Sequence, residues 1–462
     1  MTARVIMIQG TTSSAGKSLL TAALCRIFAR RGLAVAPFKA QNMSNNAAVC
    51  SDGSEIGRST AVQALACGIA PTADMNPILL KPEGAKRSQV IVDGHPLGHL
   101  EAVSYYERKS ILWQHVVAAL DRLRQRHDLV VIEGAGSPVE LNLKRGDIVN
   151  MAVARHAHAP VLLVGDIDRG GIFAQMLGTL WLLEPEERAL VKGLIVNKFR
   201  GDIALFTDGV TILKERGQVP VLGVVPWIPN LSIPEEDAVA LDELPTEASP
   251  QAQVDIAVPH FPLIANFDDL DALSREPGVR VRYVHSSDEL GQPDAIILPG
   301  TKSTINDLLW LRTTGLFQAI QCQARAGTPV VGICGGYQML GRTILDPEGV
   351  ESATERAEGL DLLPVETVFQ GSKETHQAMA RVQASTGWLA QLTGESLTGY
   401  EIHMGRTVGS GDLFTITWRS GEPVSVPDGS ATADGKIWGC YLHGILDNDC
   451  LRRAWLASLG WQ

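Results

Sequence analysis

One cysteine in this chain stands where a nucleophile would be exposed. In the run Val330-Val331-Gly332-Ile333-Cys334-Gly335-Gly336-Tyr337-Gln338-Met339-Leu340, an apolar strand leads into Gly332, Cys334, two more glycines and a helix-compatible stretch. That is the pattern of a nucleophile elbow, with sulfur in place of the serine oxygen. A tight strand-to-helix turn needs glycine on both sides, because side chains there would collide with the strained backbone. The helix N-terminus just beyond favours thiolate, the reactive species. Such a thiol needs a base. Ile437-Trp438-Gly439-Cys440-Tyr441-Leu442-His443-Gly444 offers one, an apolar strand ending in a histidine that can face a neighbouring strand's elbow whatever their separation in sequence. Cys440 lies in the same strand without an elbow and reads as structural.

The other end of the chain suits phosphate chemistry. A buried strand, Arg4-Val5-Ile6-Met7-Ile8-Gln9, runs into Gly10-Thr11-Thr12-Ser13-Ser14-Ala15-Gly16-Lys17-Ser18, and an amphipathic helix follows to about Arg31. This is a P-loop with five residues between its glycines, where the common form has four. Backbone N–H groups from Gly10 and Thr11 to Gly16, with the helix N-terminus, would cradle the phosphates. Lys17 would reach the β/γ-phosphates and Ser18 would ligate magnesium. Leu129-Val130-Val131-Ile132-Glu133 is a second buried strand ending in an acid. Glu133 is expected either to coordinate the metal or to stand as a solvated strand-end carboxylate. The strand 161–166 repeats the pattern with Asp166 and Asp168. Asn197-Lys198 ends another strand, as a base-facing dipeptide or a surface turn. The expected cofactors are ATP and Mg2+.

These motifs need α/β scaffolds to place them. Short β-branched runs at 4–9, 34–38, 129–133, 160–166, 192–197 and 220–225 alternate with helical stretches, which predicts a parallel sheet with helices on both faces. Strands near 254–258, 279–284, 294–298 and 329–333 predict a second α/β sheet ending in the cysteine elbow. The expected organisation is residues 1–237 as a P-loop domain, an acidic, Pro-containing linker at 238–253, and residues 254–462 as the cysteine domain. At 462 residues the chain is too long for one ordinary core. A net charge of −11 argues against nucleic acid or an anionic membrane as the main partner. Seven scattered cysteines without C-x-x-C spacing suit a reducing cytoplasm and disfavour a disulfide framework or zinc site. No run approaches the length of a membrane span, and the N-terminus enters the P-loop strand directly, so neither transmembrane helix nor signal peptide is expected.

The cysteine half resembles the triad-type glutamine amidotransferases, which release ammonia from glutamine. The run Asp294-Ala295-Ile296-Ile297-Leu298-Pro299-Gly300-Thr301 adds to the likeness. The resemblance implies an oxyanion hole built from a backbone N–H of Gly300 or Thr301 and that of Gly335. It also implies Glu two residues after the histidine, where this chain has Ile445. The partner that orients His443 is therefore open, between a bare dyad and a substitute such as Glu401. The P-loop half resembles the dethiobiotin synthetase group, with the same long loop and an acid-Gly-Ala-Gly strand end.

An ATP site joined to a glutaminase predicts an ATP-dependent amide synthetase, because a carboxylate accepts ammonia only after activation as an acyl phosphate. The combination resembles the cobyrinate amidase family of cobalamin biosynthesis. The runs Phe38-Lys39-Ala40-Gln41-Asn42-Met43-Ser44-Asn45-Asn46 and Gly399-Tyr400-Glu401-Ile402-His403-Met404-Gly405-Arg406 extend the likeness over essentially the whole chain. What this implies is glutamine- and ATP-dependent amidation, with magnesium, of the b, d, e and g carboxylates of the corrinoid adenosylcobyrinic acid a,c-diamide. Gln41, Asn42 and Asn45 would then contact substrate carboxylate or phosphate, or form a plain Asn-rich turn. Glu401 would line the glutaminase pocket, orient His443, or lie in a strand of alternating exposed residues. Two alternatives stay open. One is another glutamine-dependent amide synthetase, such as the enzyme for the a and c carboxylates or CTP synthase. The other is a non-enzymatic P-loop switch protein.

Overall fold

A computed structural model describes residues 2–84, 87–229, 231, 233, 241, 249, 252–385, 387–409 and 413–462. The chain forms two compact units. One comprises Met1–Ser44, Glu55–Lys81 and Lys86–Pro234; the other comprises Asn45–Ser54, Pro82–Ala85 and Glu235–Gln462. The expected linker at 238–253 lies outside the described residues except for 241, 249, 252 and 253.

In the first unit, six apolar strands form one sheet. Its order is Val221–Pro226, Val191–Phe199, Val161–Asp166, Arg4–Gly10, Leu129–Glu133 and Val35–Phe38, and every pairing is parallel. Near-continuous Val, Ile and Leu runs are what a sheet covered on both faces requires. Accordingly Met7, Ile8, Val130, Val131, Ile132, Leu163 and Val164 are fully buried. Arg4–Gly10 lies between the strands that follow it in sequence, so the order of connections reverses there. A cleft for ligand opens at the carboxyl ends beside such a switch point, and the P-loop leaves this strand end. A smaller sheet pairs Gln41–Met43 with Ile78–Pro82 and continues through Arg87–Val92 to His95–Glu101.

The second unit has its own parallel sheet, ordered Val279–Val284, Val254–Pro259, Ala295–Leu298, Val330–Ile333 and Ile437–Cys440, with the antiparallel Ser430–Ala431 at the edge. Beyond the expected α/β layers it carries a largely antiparallel sheet. Glu366–Val382 is its long central strand, flanked by Ser396–Val408 and by Phe414–Arg419. These strands mix polar and apolar residues along their length, so no continuous apolar run announces them. A sheet with one solvated face needs none.

The elbow rests on close backbone approach. A Cβ added at Gly336 would lie 2.0 Å from the carbonyl oxygen of Leu298 on the adjacent strand. Neither backbone can yield there without breaking the sheet. Gly336→Ala is therefore expected to destabilise the second unit by about 1–3 kcal/mol, by analogy with overpacked cores. Calorimetric melting of the variant against wild type checks this, and an unchanged melting profile would contradict the packing.

Candidate active sites

In the first unit, Gly16 takes the left-handed conformation (φ 92°) and opens the helix Lys17–Arg30. Only glycine fits: a Cβ there would fall 2.2 Å from the Asn197 side-chain amide, which itself donates to Ala15 O at 2.9 Å. Asn197 thus braces the loop from behind. Thr11 N–H bonds Val164 O at 2.8 Å, tying the loop's start to the neighbouring strand. Lys17 Nζ donates to the carbonyls of Thr12 (2.9 Å), Ser13 (3.0 Å) and Gly136 (3.2 Å). Ser18 Oγ donates to Glu133 Oε1 at 2.7 Å, and Glu133 is also held by Lys39 (3.2 Å) and Gln63 (2.5 Å). A hydroxyl and a carboxylate in contact at a helix N-terminus are hard oxygen donors, the set that magnesium takes alongside phosphate oxygens. Lys198 turns to Asp166 instead, at 3.0 Å. Sequence reasoning had not singled out Lys39 and Gln63 as partners of Glu133. Lys39 stood in the run 38–46 without a role of its own, and no motif marks Gln63; both arrive from other elements.

In the second unit the strand Val330–Ile333 delivers Cys334 at φ 53°, ψ −107°, followed at once by the helix Gly335–Leu340. A positive φ in a non-glycine residue is backbone strain of the kind found at nucleophile elbows. The Cys334 side chain is buried, with Sγ 3.8 Å from Ile402 O. The turn after Ala295–Leu298 packs against it. A Cβ on Gly300 would lie 2.8 Å from His443 Cε1, and one on Gly335 would lie 3.2 Å from Thr301 N. The structure thus brings Gly300, Thr301, Gly335, Cys334 and His443 to one place. The Thr301 hydroxyl donates to Leu263 O at 3.1 Å and bonds Asp307, whose carboxyl is pushed up to about 7 by burial.

The orienting partner of His443 is an acid that the sequence reading missed. Asp269 Oδ2 lies 2.6 Å from His443 Nδ1, and Asp269 Oδ1 accepts the Gly444 N–H at 2.6 Å. Burial by itself lowers the imidazole pKa, but the Asp269 carboxylate and Cys334, with hydrogen bonds to both, raise it from 6.5 to about 10. A carboxylate on Nδ1 fixes the tautomer that presents Nε2 to the sulfur. Glu401 does not fill this place. Its carboxylate is taken by Arg419, in two bonds of 2.6 Å, and by His403 at 3.4 Å. Burial would raise its pKa, yet these bonds hold it below the usual carboxylate value. Asp269 sits in the 3-10 turn Phe267–Leu270 after the strand Val254–Pro259. The only signal was a polar cluster, Asn266-Phe267-Asp268-Asp269, next to an apolar strand.

The polar run 41–46 divides. Gln41 and Asn42 pack in the first unit, and Asn45 and Asn46 count with the second. Asn42 is buried, with its Oδ1 accepting from Met43 N–H at 2.9 Å.

Fold and sites together define the class: glutamine-hydrolysing, amide-forming enzymes that join a P-loop nucleotide-binding domain to an amidotransferase domain. Residues 6–239 match the CobQ/CobB/MinD/ParA nucleotide binding domain, and residues 255–450 match the CobB/CobQ-like glutamine amidotransferase domain. Over its full length the chain is 57% identical to the cobyric acid synthase of Chloroflexus aurantiacus and 58% identical to that of Chloroflexus aggregans, covering 93% of each. It is 52% identical to the cobyric acid synthase of Moorella thermoacetica, with 99% of this chain and 89% of that one aligned. The chain belongs to the cobyric acid synthase family.

The raised imidazole pKa sets a pH dependence. Because the folded value lies above 6.5, the stabilisation given by charged His443 is complete below pH 6.5 and is lost as pH rises through about 10. Asp269→Asn removes the main support of the imidazolium and leaves burial to lower its pKa. Glutamate release from glutamine is expected to fall at least about a hundredfold, with its alkaline limb moved to lower pH. A pH–rate profile with normal height and position would remove Asp269 from the site.

Proposed function

We propose that this chain is a glutamine-hydrolysing cobyric acid synthase. It would amidate the b, d, e and g carboxylates of adenosylcobyrinic acid a,c-diamide at the expense of ATP. The observation that carries the proposal is His443 held between Asp269 and Cys334 in one unit, while a complete P-loop with Ser18 on Glu133 lies in the other.

In the glutaminase half-reaction, Cys334 sulfur attacks the side-chain carboxamide carbon of glutamine. Negative charge develops on the carbonyl oxygen, and the backbone N–H groups of Gly335 and of Gly300 or Thr301 stabilise it. His443 donates a proton to the departing nitrogen, and ammonia leaves. The thioester is then hydrolysed by water that His443 deprotonates, releasing glutamate and restoring the thiol. Asp269 keeps the imidazole in register through both transfers and stabilises its charged form.

In the synthetase half-reaction a corrinoid carboxylate oxygen attacks the γ-phosphorus of ATP, giving an acyl phosphate and ADP. Ammonia adds to the acyl carbon and phosphate departs, leaving the amide. Lys17 is positioned to exchange its carbonyl partners for phosphate oxygens, and Asn197 holds the loop in shape. Ser18 and Glu133 would hold magnesium with the nucleotide phosphates, and the ion would supply positive charge against the transferring group. Residues 1–237 would thus work as the synthetase domain and 254–462 as the glutaminase domain. Gln41, Asn42 and Asn45 are proposed to contact substrate.

Mass spectrometry of cobyrinic acid a,c-diamide incubated with ATP, magnesium and glutamine tests the reading. A gain of four amides is expected, and none would defeat it. Cys334→Ala is expected to abolish glutamine use while leaving amidation from ammonium salt. Equal loss with both nitrogen sources would show that the cysteine serves more than the glutaminase. Lys17→Ala is expected to lower amidation from either source by about a hundredfold or more, since a point charge on the transferring phosphate is lost. Near-normal ammonia-dependent turnover would mean that ATP is used elsewhere.

A further inference from the structure

Two stretches from the nucleotide-binding half of the sequence, Asn45–Ser54 and Pro82–Ala85, pack as parts of the second unit. Each grips a loop of the cysteine site. Asn46, fully buried, accepts the Phe267 N–H on its Oδ1 at 3.3 Å, and in return Asn266 Oδ1 accepts the Ala47 N–H at 3.1 Å. This reciprocal pair fixes the head of the turn Phe267–Leu270, the turn that carries Asp269. Asn266 needs such fixing, because it sits in the left-handed region at φ 52°. Its Nδ2 donates to the Tyr400 hydroxyl at 3.0 Å. The Tyr400 ring lies on the His443 imidazole, with centroids 5.1 Å apart and planes within 18°. The two backbones exchange hydrogen bonds of 3.1 and 2.9 Å. The segment is itself anchored further along, where Gln377 Nε2 donates to Val49 O at 2.6 Å.

The second stretch reaches the other catalytic loop. Glu83 pairs with Lys302 at 3.0 Å, with both side chains largely buried. Lys302 directly follows Thr301, and its N–H bonds Leu263 O at 2.8 Å. A well-buried ion pair holds geometry more firmly than an exposed one, because the charges are less screened.

Both stretches leave from the same place. Asn45 comes two residues after the strand Gln41–Met43, and Glu83 comes just after the strand Ile78–Pro82. These strands are parallel neighbours, in register Gln41↔Ile78 to Met43↔Leu80. Lys39, two residues ahead of the first strand, is bonded to Glu133 beside the P-loop.

We propose that Asn46 and Glu83 are positioning residues of the glutaminase centre. Asn46 sets the turn that aims Asp269 and Tyr400 at His443, and Glu83 sets the oxyanion turn through Lys302. The inference rests on the glutaminase reading of Cys334 given above. It makes the cysteine site depend on chain contributed by the nucleotide-binding half, so the amidotransferase domain excised at its family boundary would lack two of its supports.

The test uses the full chain with Asn46→Ala, Asn46→Asp and Glu83→Gln, and measures kcat and KM for glutamine beside ammonia-dependent amidation. Asn46→Ala and Glu83→Gln are expected to lower kcat for glutamine about tenfold, since small displacements of catalytic groups are costly. KM should change less than about twofold, and ammonia-dependent amidation should be unchanged. Asn46→Asp keeps an acceptor for the Phe267 N–H and is expected to recover most of the loss. The proposal is overturned if both variants turn over glutamine normally, if only KM moves, or if ammonia-dependent amidation falls equally. Cys334→Ala runs alongside: persistence of glutamine use in that variant would sink the glutaminase reading itself, whereas its loss there with normal Asn46 and Glu83 variants would sink this inference alone.

Discussion

A single buried carboxylate holds the second unit's chemistry together. Asp269 bonds the imidazole of His443 with one oxygen and the Gly444 N–H with the other, both at 2.6 Å. Removing two charges from water is costly, and the cost is recovered only where geometry and extra hydrogen bonds are good. Here the second oxygen is satisfied by backbone, so the carboxylate is not left half-solvated. That arrangement makes a charged imidazole tolerable in a fully buried position. It is the setting that the proposed nucleophile Cys334 would need beside it. The glycines of the elbow place the sulfur, and Asp269 places the imidazole beside it.

The first unit follows a different logic, in which neutral groups do most of the holding. The P-loop is kept in shape by the Asn197 amide, by the sheet bond from Thr11 and by the Lys17 ammonium folded onto loop carbonyls. Beside it the Glu133 carboxylate is shared among Ser18, Lys39 and Gln63. If Glu133 takes magnesium as proposed above, its several donors would let it pass from protein partners to the cation without being left bare.

Much of this was legible in the sequence, and the reasons are physical. Continuous apolar runs announce buried parallel strands, and most of those named from such a run form within a residue or two of their expected place; the last ends at Cys440, so that His443 stands three residues beyond the strand that was expected to carry it. Gly332, Gly335 and Gly336 announced the elbow because only close backbone approach requires such a frame. Asp269 was not legible: an orienting acid is chosen by proximity in space, and the turn that carries it has no fixed spacing from either Cys334 or His443. Of the antiparallel strands around Glu366–Val382, only the stretch at Glu401 was open to reading as a strand; the others lack a continuous apolar run. The assignment of Asn45–Ser54 to the second unit was hidden for a plainer reason. A sequence reading assigns a segment to its neighbours in the chain, and here the contacts go elsewhere.

The stacking of Tyr400 on His443 has a consequence for thermal motion. In the reading proposed above the imidazole moves a proton between sulfur, nitrogen and water, so it must not tumble: a ring flip would put carbon atoms where Nδ1 and Nε2 stand and break the bond to Asp269. The tyrosine face, lying within 18° of parallel, blocks that rotation by bulk alone, whatever the protonation state. Orientation is thus secured twice, electrostatically from the edge and sterically from the face. The second safeguard persists when the imidazole is neutral and its attraction to the acid is weakest.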